Sequence, residues 1–325
     1  MAQGSDRSAS AIEYNSDTMA NQRTNRSPKP TNDVVFRTLL GSNNNVDLLV
    51  AFLSSILGIW IKSAVIKNPF NLATYLGDKT SIVDVKAQDE HGAWYNIELQ
   101  MRGHMDYGKR ALYYLCKIYV EQLAEGQDYM ELNTAIGIHI LGFNMFDDDR
   151  ALHRFAYQDT QTGEAADQLG HTQLIFVELP KFHKDWSEIS TDLDKWIAFL
   201  KTGETLSSGD LPKALQGNPA ITKAISTLEW MGADPAVRQI WEEEEKATMI
   251  ERGEIEYARR EGKAVGIAEG AVREARNMLL LVGEGRLGKP DSETIWRLEA
   301  ISSVEALEAM ARRLLAVESW AELLT

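Results

Sequence analysis

The sequence predicts an α/β protein: a mixed sheet flanked by helices, followed by a mainly helical C-terminal region. Three observations carry that prediction. Two neighbouring segments alternate apolar and polar residues, the mark of strands with one face on a core. Ala135 to Gly142 is a nearly unbroken apolar run and reads as a buried central strand. Around these segments, apolar residues recur at helical spacing. The order helix, helix, strand, hairpin, helix, strand is that of helices packed on a sheet.

Taken in order, residues 1–31 are rich in Ser, Asn, Thr and Gln and read as a disordered lead-in without the layout of a secretory signal. Asn32 and Asp33 are N-cap residues for a helix through Val34, Val35, Phe36, Leu39 and Leu40. A second, strongly apolar helix runs from about Val46 to Leu57. Ile59 to Ile66 reads as a strand ended by Asn68 and Pro69. The alternating pair follows: Val83, Val85 and Ala87 against Asp84, Lys86 and Gln88, then Tyr95, Ile97, Leu99 and Met101 against Asn96, Glu98 and Gln100. Asp89 to Ala93 supplies the glycine and polar residues of the hairpin loop. A long helix from about Tyr107 to Ala124 carries Leu112, Leu115, Cys116, Tyr119, Val120 and Leu123 on its predicted buried side. Leu174 to Leu179 is a further strand, ahead of a helix with Trp186, Leu193, Trp196, Phe199 and Leu200. The charged stretch 241–274, with Gly253, Gly262, Gly266 and Gly270, reads as an exposed, frayed helix or a linker, because each glycine costs about 1 kcal/mol in a helix interior. Residues 275–325 hold three short amphipathic helices, from about Ala275, Asp291 and Ser303, and form a small helical domain. The sheet-bearing domain is therefore 32–240.

Composition narrows the function classes. A hydrophobic fraction of 44% and a charged fraction of 25% belong to an ordinary globular chain. No run of about 18 apolar residues is present, so no membrane partner is expected. The single cysteine, Cys116, excludes an internal disulfide and a zinc cluster; packing is its expected role, and a reducing cytoplasm fits. A net charge of −14 argues against a broad nucleic-acid-coating surface, though not against an enzyme acting on nucleic acid. The six histidines are scattered; His91 falls in the hairpin loop and His104 beyond the second strand. There is no phosphate-binding glycine loop followed by Lys-Ser/Thr. Trp230 and Trp241 read as packing residues.

The polar faces of the hairpin suggest a cation site at a sheet edge. If its strands pair, Asp84, Glu98 and Gln100 converge, and magnesium favours such oxygen ligands. Asp84 and Glu98 are the candidate metal ligands, with the Leu99 carbonyl as a third. Gln100, about 7 Å further along the same face, is placed to orient water or a phosphate oxygen. The alternative is that the polar residues are simply the solvated face of a half-exposed hairpin. Arg110 and Tyr113 lie one helical turn apart, placed for phosphate or DNA; alternatively Tyr113 and Tyr114 pack on the sheet and Arg110 pairs with an acid.

Asn32 to Arg37, Ile82 to Val85, Asn96 to Gln100, Arg110 to Tyr114 and Gln122 to Gly126 occur in that order at suitable spacings. This set resembles the PD-(D/E)XK nuclease superfamily, in particular its transposase-related, recombination-promoting nucleases. The resemblance spans about Thr31 to Phe146. Residues from about Arg276 to Leu324 resemble a small C-terminal domain of unknown function often attached to that family. It implies a restriction-endonuclease-like sheet, DNA as substrate and magnesium, or alternatively manganese, as cofactor. By position, Asp84 matches the motif aspartate and Glu98 the acid of the E-x-K element. Gln100 stands where the superfamily usually has lysine, as is common in this branch, and Asp33 matches the N-terminal acid that reaches the metal through water. A neutral amide supplies no positive charge, so Lys86, on the same face as Asp84, is the candidate to provide it; the alternative is an exposed solubilising lysine.

The function this implies is metal-dependent endonucleolytic cleavage of DNA linked to recombination or mobile elements, with self-association through the C-terminal helices. The alternative is a catalytically inactive nuclease fold serving as a DNA-binding or assembly module.

Overall fold

The computed structural model describes residues 27–70, 72, 85–103, 105–165 and 167–325. The lead-in up to residue 26, Asp84 and His104 lie outside the described residues. Two compact units are present, Met1–Glu245 and Lys246–Thr325.

The first unit opens with α1 (Asp33–Leu40), started by the Asn32 side chain, which accepts a hydrogen bond from Val35 N at 3.2 Å. Helix α2 (Val46–Leu57) follows, and Leu48, Leu49, Phe52, Leu53 and Ile56 are all sealed from solvent. Their burial stabilises by roughly 1.5–3 kcal/mol per side chain. The strands are β1 (Ala64–Ile66), β2 (Val85–Asp89), β3 (Trp94–Gln100), β4 (Ala135–Leu141), β5 (Leu152–Phe155) and β6 (Thr172–Glu178), with helix α3 (Tyr107–Val120) between β3 and β4. Helices α4 (Asp192–Thr202) and α5 (Pro219–Ala233) complete the layers. The expected strand from Ile59 is shorter than its apolar run, since only its last three residues pair.

Sheet order is β1-β2-β3-β4-β6-β5. The strands β3, β4 and β6 run parallel, while β1, β2 and β5 pair antiparallel to their neighbours. The hairpin pairs Val85 with Ile97 and Ala87 with Tyr95, and Gly92 closes its loop at φ 85°, a left-handed conformation suited to glycine. On one sheet face Val85, Ala87, Tyr95, Ile97, Leu99, Ile138, Ile140, Ile175 and Val177 join one core with residues of α1, α2, α4 and α5.

The opposite face carries Asn96, Glu98 and Gln100, and it is not a solvated hairpin surface. Helix α3 covers it through Tyr107, Ala111, Leu115 and Ile118, leaving Asn96 and Glu98 2% and 3% exposed. The hairpin is also interior to the sheet rather than at its lateral edge, because β1 and β4 flank it. The helix is rotated from its expected orientation: Leu112 and Val120 face solvent, and Cys116 is exposed rather than packed. The row 107/111/115 faces the sheet at i, i+4 spacing, and the apolar residues one position on are turned away. Trp241 is buried as expected, whereas Trp230 is half-exposed.

The unit boundary falls inside α6 (Pro235–Leu287), a 53-residue helix that continues through Gly253, Gly262, Gly266 and Gly270. The helix expected from about Ala275 is its C-terminal part. In the second unit Leu279 packs with residues of α7 (Ser292–Glu299), α8 (Val304–Arg313) and α9 (Trp320–Leu323), around Leu298, Leu307, Leu314 and Trp320. Arg276 donates to the carbonyls of Leu298 (2.9 Å) and Ile301 (2.7 Å), satisfying the end of α7. No helix among the described residues is long and apolar enough to cross a membrane.

Candidate active site

Strand β3 delivers Glu98 and Gln100 to the C-terminal end of the parallel strands, the place where open α/β sheets receive ligands. Asn96 Nδ2 donates to Glu98 Oε1 at 3.1 Å. From α3, Arg110 reaches back to both: its guanidinium is 3.7 Å from Glu98 Oε2 and donates to Gln100 Oε1 at 3.4 Å. Gln100 Nε2 donates to the Arg102 carbonyl at 3.1 Å, which fixes the amide with its oxygen toward Arg110.

The Gln100 carbonyl accepts from Gly142 N at 2.9 Å on the β4 side. Carbonyls alternate in direction along a strand, so that of Leu99 points to the β2 side. Glu98, Gln100 and Leu99 thus offer a carboxylate, an amide oxygen and a backbone carbonyl. Such hard oxygen donors fit a magnesium-like cation, and the guanidinium at Glu98 shows that the position accepts positive charge. Among the described residues no group of three or more His, Cys, Asp or Glu side chains is arranged to hold a metal.

The other expected site residues are placed as follows. Lys86 lies on β2 opposite Asn96, and its amino group is paired with Glu121 at 3.3 Å. Tyr113 is exposed and meets Tyr114 edge-on at 5.6 Å; Arg110 sits over the rings of Tyr114 and Tyr107, not over Tyr113. Asp33, in the first turn of α1, hydrogen-bonds the side chain of Glu244 on α6 and lies in the field of Arg102 and Arg37. Glu244 Oε2 also accepts from Val34 N at 3.2 Å, at the positive end of α1. Burial pushes the Asp33 carboxyl up, and burial together with the Asp33 charge pushes Glu244 up to about 7.

Sequence reasoning missed Glu244, which gives no local signal within its run of four glutamates. It also missed Tyr107 and His139. Burial, then the nearby Arg110 charge, lowers His139 to about 3, so its imidazole is neutral. The one available hint was a lone histidine inside an otherwise apolar strand.

A second polar cluster occupies the same sheet end. Glu178, the last residue of β6, accepts from Met145 N and Phe146 N and pairs with Lys181 at 2.8 Å. His153 Nδ1 lies 3.2 Å from Glu178, and its Nε2 is 2.9 Å from Asp148. Arg150, then His153, hold the Asp148 carboxyl well below the usual range. A separate 960 Å³ cavity, lined by residues such as Thr38, Phe70, Trp230 and Ile240, contains none of the residues in either cluster.

A model of the family described as PD-(D/E)XK nuclease family transposase matches residues 30–258. No curated protein and no solved structure matches the chain.

Proposed function

The chain belongs to the PD-(D/E)XK nuclease family transposases, and from that premise we propose that it is a metal-dependent endonuclease hydrolysing phosphodiester bonds of DNA. Its six-stranded mixed sheet with flanking helices is consistent with a restriction-endonuclease-like α/β fold. The observation that carries the reading is the buried Glu98, set beside Gln100 with a guanidinium facing both.

Asp84 immediately precedes Val85, and Val85 pairs with Ile97, the residue before Glu98. An antiparallel ladder one residue longer would set the two acids opposite each other. In this reading Asp84, Glu98 and the Leu99 carbonyl hold magnesium or manganese. When bound, such a cation offsets the charge that grows on the phosphate and acidifies water. Gln100 positions water or a phosphate oxygen, and Asp33 assists from α1. Arg110 leaves Glu98 for a phosphate, with Tyr113 exposed on the same helix to meet DNA. Lys86 supplies the positive charge that Gln100 lacks; cleavage by Lys86→Ala as fast as by the parent would end that assignment. Recombination or mobile-element biology, a cytoplasmic setting and self-association through the C-terminal helices complete the proposal.

Plasmid DNA incubated with the parent, Asp84→Ala and Glu98→Ala tests it. The parent should nick with magnesium and not with chelator, and each variant should be slower by at least about 100-fold. Cleavage in chelator, or undiminished cleavage by Glu98→Ala, overturns the reading. The neutral Gln100, bound by Arg110, favours one rival, a catalytically silent DNA-binding or assembly module. That rival predicts no Asp84-dependent binding of magnesium or manganese.

A further inference from the structure

Glu98 does not end the polar chemistry of its sheet face. The ladder pairs Asn96 with Gly137 and Glu98 with His139, so Asn96 and His139 are diagonal neighbours on the face covered by α3. Both are almost fully buried, at 2% and 1% exposure. Asn96 Oδ1 and His139 Nε2 have no hydrogen-bond partner among the described residues. Buried polar atoms are rarely left in that state.

Chemistry fixes the direction of each bond. Turning the Asn96 amide over would set its oxygen against the Glu98 carboxylate, so Nδ2 must face Glu98 and Oδ1 must look for a donor. The Tyr107 hydroxyl lies 3.0 Å from His139 Nδ1 and makes no other hydrogen bond among the described residues. Its proton therefore goes to Nδ1, and the neutral imidazole carries its own proton on Nε2. The orphaned pair is complementary: an N–H donor on His139 and a carbonyl acceptor on Asn96. One water, donor and acceptor at once, would satisfy both. Gly137 lets the imidazole edge and Leu174 lie against the backbone between the two groups, because a Cβ there would stand 3.1 Å from His139 Nε2 and 2.9 Å from Leu174 Cδ2.

We propose that Tyr107, His139 and Asn96 form a one-way hydrogen-bond chain, completed by one internal water and ending on Glu98, which positions that carboxylate for the cation. The inference rests on the reading of Glu98 as a metal ligand. Every N–H and O–H in the chain points toward Glu98, so its negative charge polarises each bond in turn. Asn96 clamps Oε1, and the carboxylate is thereby turned with Oε2 toward Arg110. All three are positioning residues: none is placed to touch substrate, and Tyr107 and His139 act through Asn96.

Two measurements on the full chain test this. The first is manganese affinity, by titration, of the parent, Asn96→Leu, the shape-preserving Tyr107→Phe and the double variant. Loss of an outer hydrogen bond to a ligand weakens metal binding by about 10–100-fold, the expectation for Asn96→Leu. Tyr107→Phe should lose less, and the double variant no more than Asn96→Leu alone. Losses that multiply would mean Tyr107 acts independently and would overturn the chain. The second is nitrogen NMR of the histidine rings, which is independent of metal. The chain requires an Nε2-protonated, neutral His139 whose signals move in both Tyr107→Phe and Asn96→Leu. An Nδ1-protonated ring, or one indifferent to Asn96→Leu, overturns it even if nuclease activity is found. A parent that binds no manganese but shows the coupled ring sinks the metal reading and leaves the chain standing.

Discussion

Glu98 and Glu178 are both buried glutamates near the C-terminal ends of parallel strands on one sheet face, at 3% and 0% exposure, yet they are held by different kinds of partner. Glu178 is gripped by backbone N–H groups of Met145 and Phe146 and by the ammonium of Lys181, a side chain only 7% exposed. The two N–H groups belong to the backbone, and the Lys181 ammonium is buried and held as well by the Phe146 carbonyl at 2.6 Å. Glu98 is clamped on one oxygen by a side-chain amide and faces, on the other, a half-exposed arginine at 3.7 Å. A guanidinium at that distance and exposure can swing into solvent at little cost. A buried acid tied to the backbone pins a loop, whereas one tied to a mobile cation is suited to exchanging that cation for another.

The largest effect should come from breaking the pinned acid. Glu178→Ala leaves the backbone N–H groups of Met145 and Phe146 without their acceptor and the buried Lys181 without its countercharge, holding only the Phe146 carbonyl, and the expected loss is about 3–5 kcal/mol in urea unfolding. Glu98→Gln keeps its shape and should change stability by about 1 kcal/mol or less. Equal losses at the two positions would erase the distinction drawn between them.

The Asp33–Glu244 pair sharpens the comparison through pH. Glu244 is raised from 4.5 to about 7, so the folded chain holds a proton that the unfolded chain has released. That contribution is fully present below about pH 4.5 and is lost as pH rises through about 7. Glu244→Gln should therefore flatten stability between these values. It should raise stability at pH 8 relative to the parent, on the order of 1–2 kcal/mol after allowing for solvent screening. A parent whose stability does not fall across this window would show that the two carboxyls are not sharing a proton.

The smallest expected change in stability is at Arg110. Arg110→Ala should cost under about 1 kcal/mol. With its competitor gone, manganese should bind a few-fold more tightly at Glu98, while DNA affinity drops and its salt slope falls by about 1. Unchanged manganese affinity would mean the guanidinium does not stand where the cation goes.

The hairpin and its two faces were legible because period-two alternation is a local signal: Val85, Ala87, Tyr95 and Ile97 are buried together as their spacing requires. The caps of α1 and the extent of α2 were legible for the same reason. What covers the polar face was not. Helix α3 has apolar residues on more than one side, so its rotation, which buries Tyr107 and Ala111 and exposes Leu112 and Cys116, follows from docking rather than from periodicity. The short strand β5 escaped notice because four residues carry too little pattern. Glu244 is separated from Asp33 by more than two hundred residues, and no local feature announces their hydrogen bond.

By itself, then, the chain's order of residues determined the hairpin strands, their inward and outward sides, and the pair Glu98 and Gln100 on one of them, because side-chain direction in a strand depends only on neighbouring backbone. Tertiary structure decided everything that gives those groups their chemistry. It sealed Glu98 under α3, set Arg110 against it, brought Asn96, Tyr107 and His139 beneath it and joined Asp33 to Glu244. Burial and charge proximity are properties of packed surfaces, and surfaces meet only once the chain has folded.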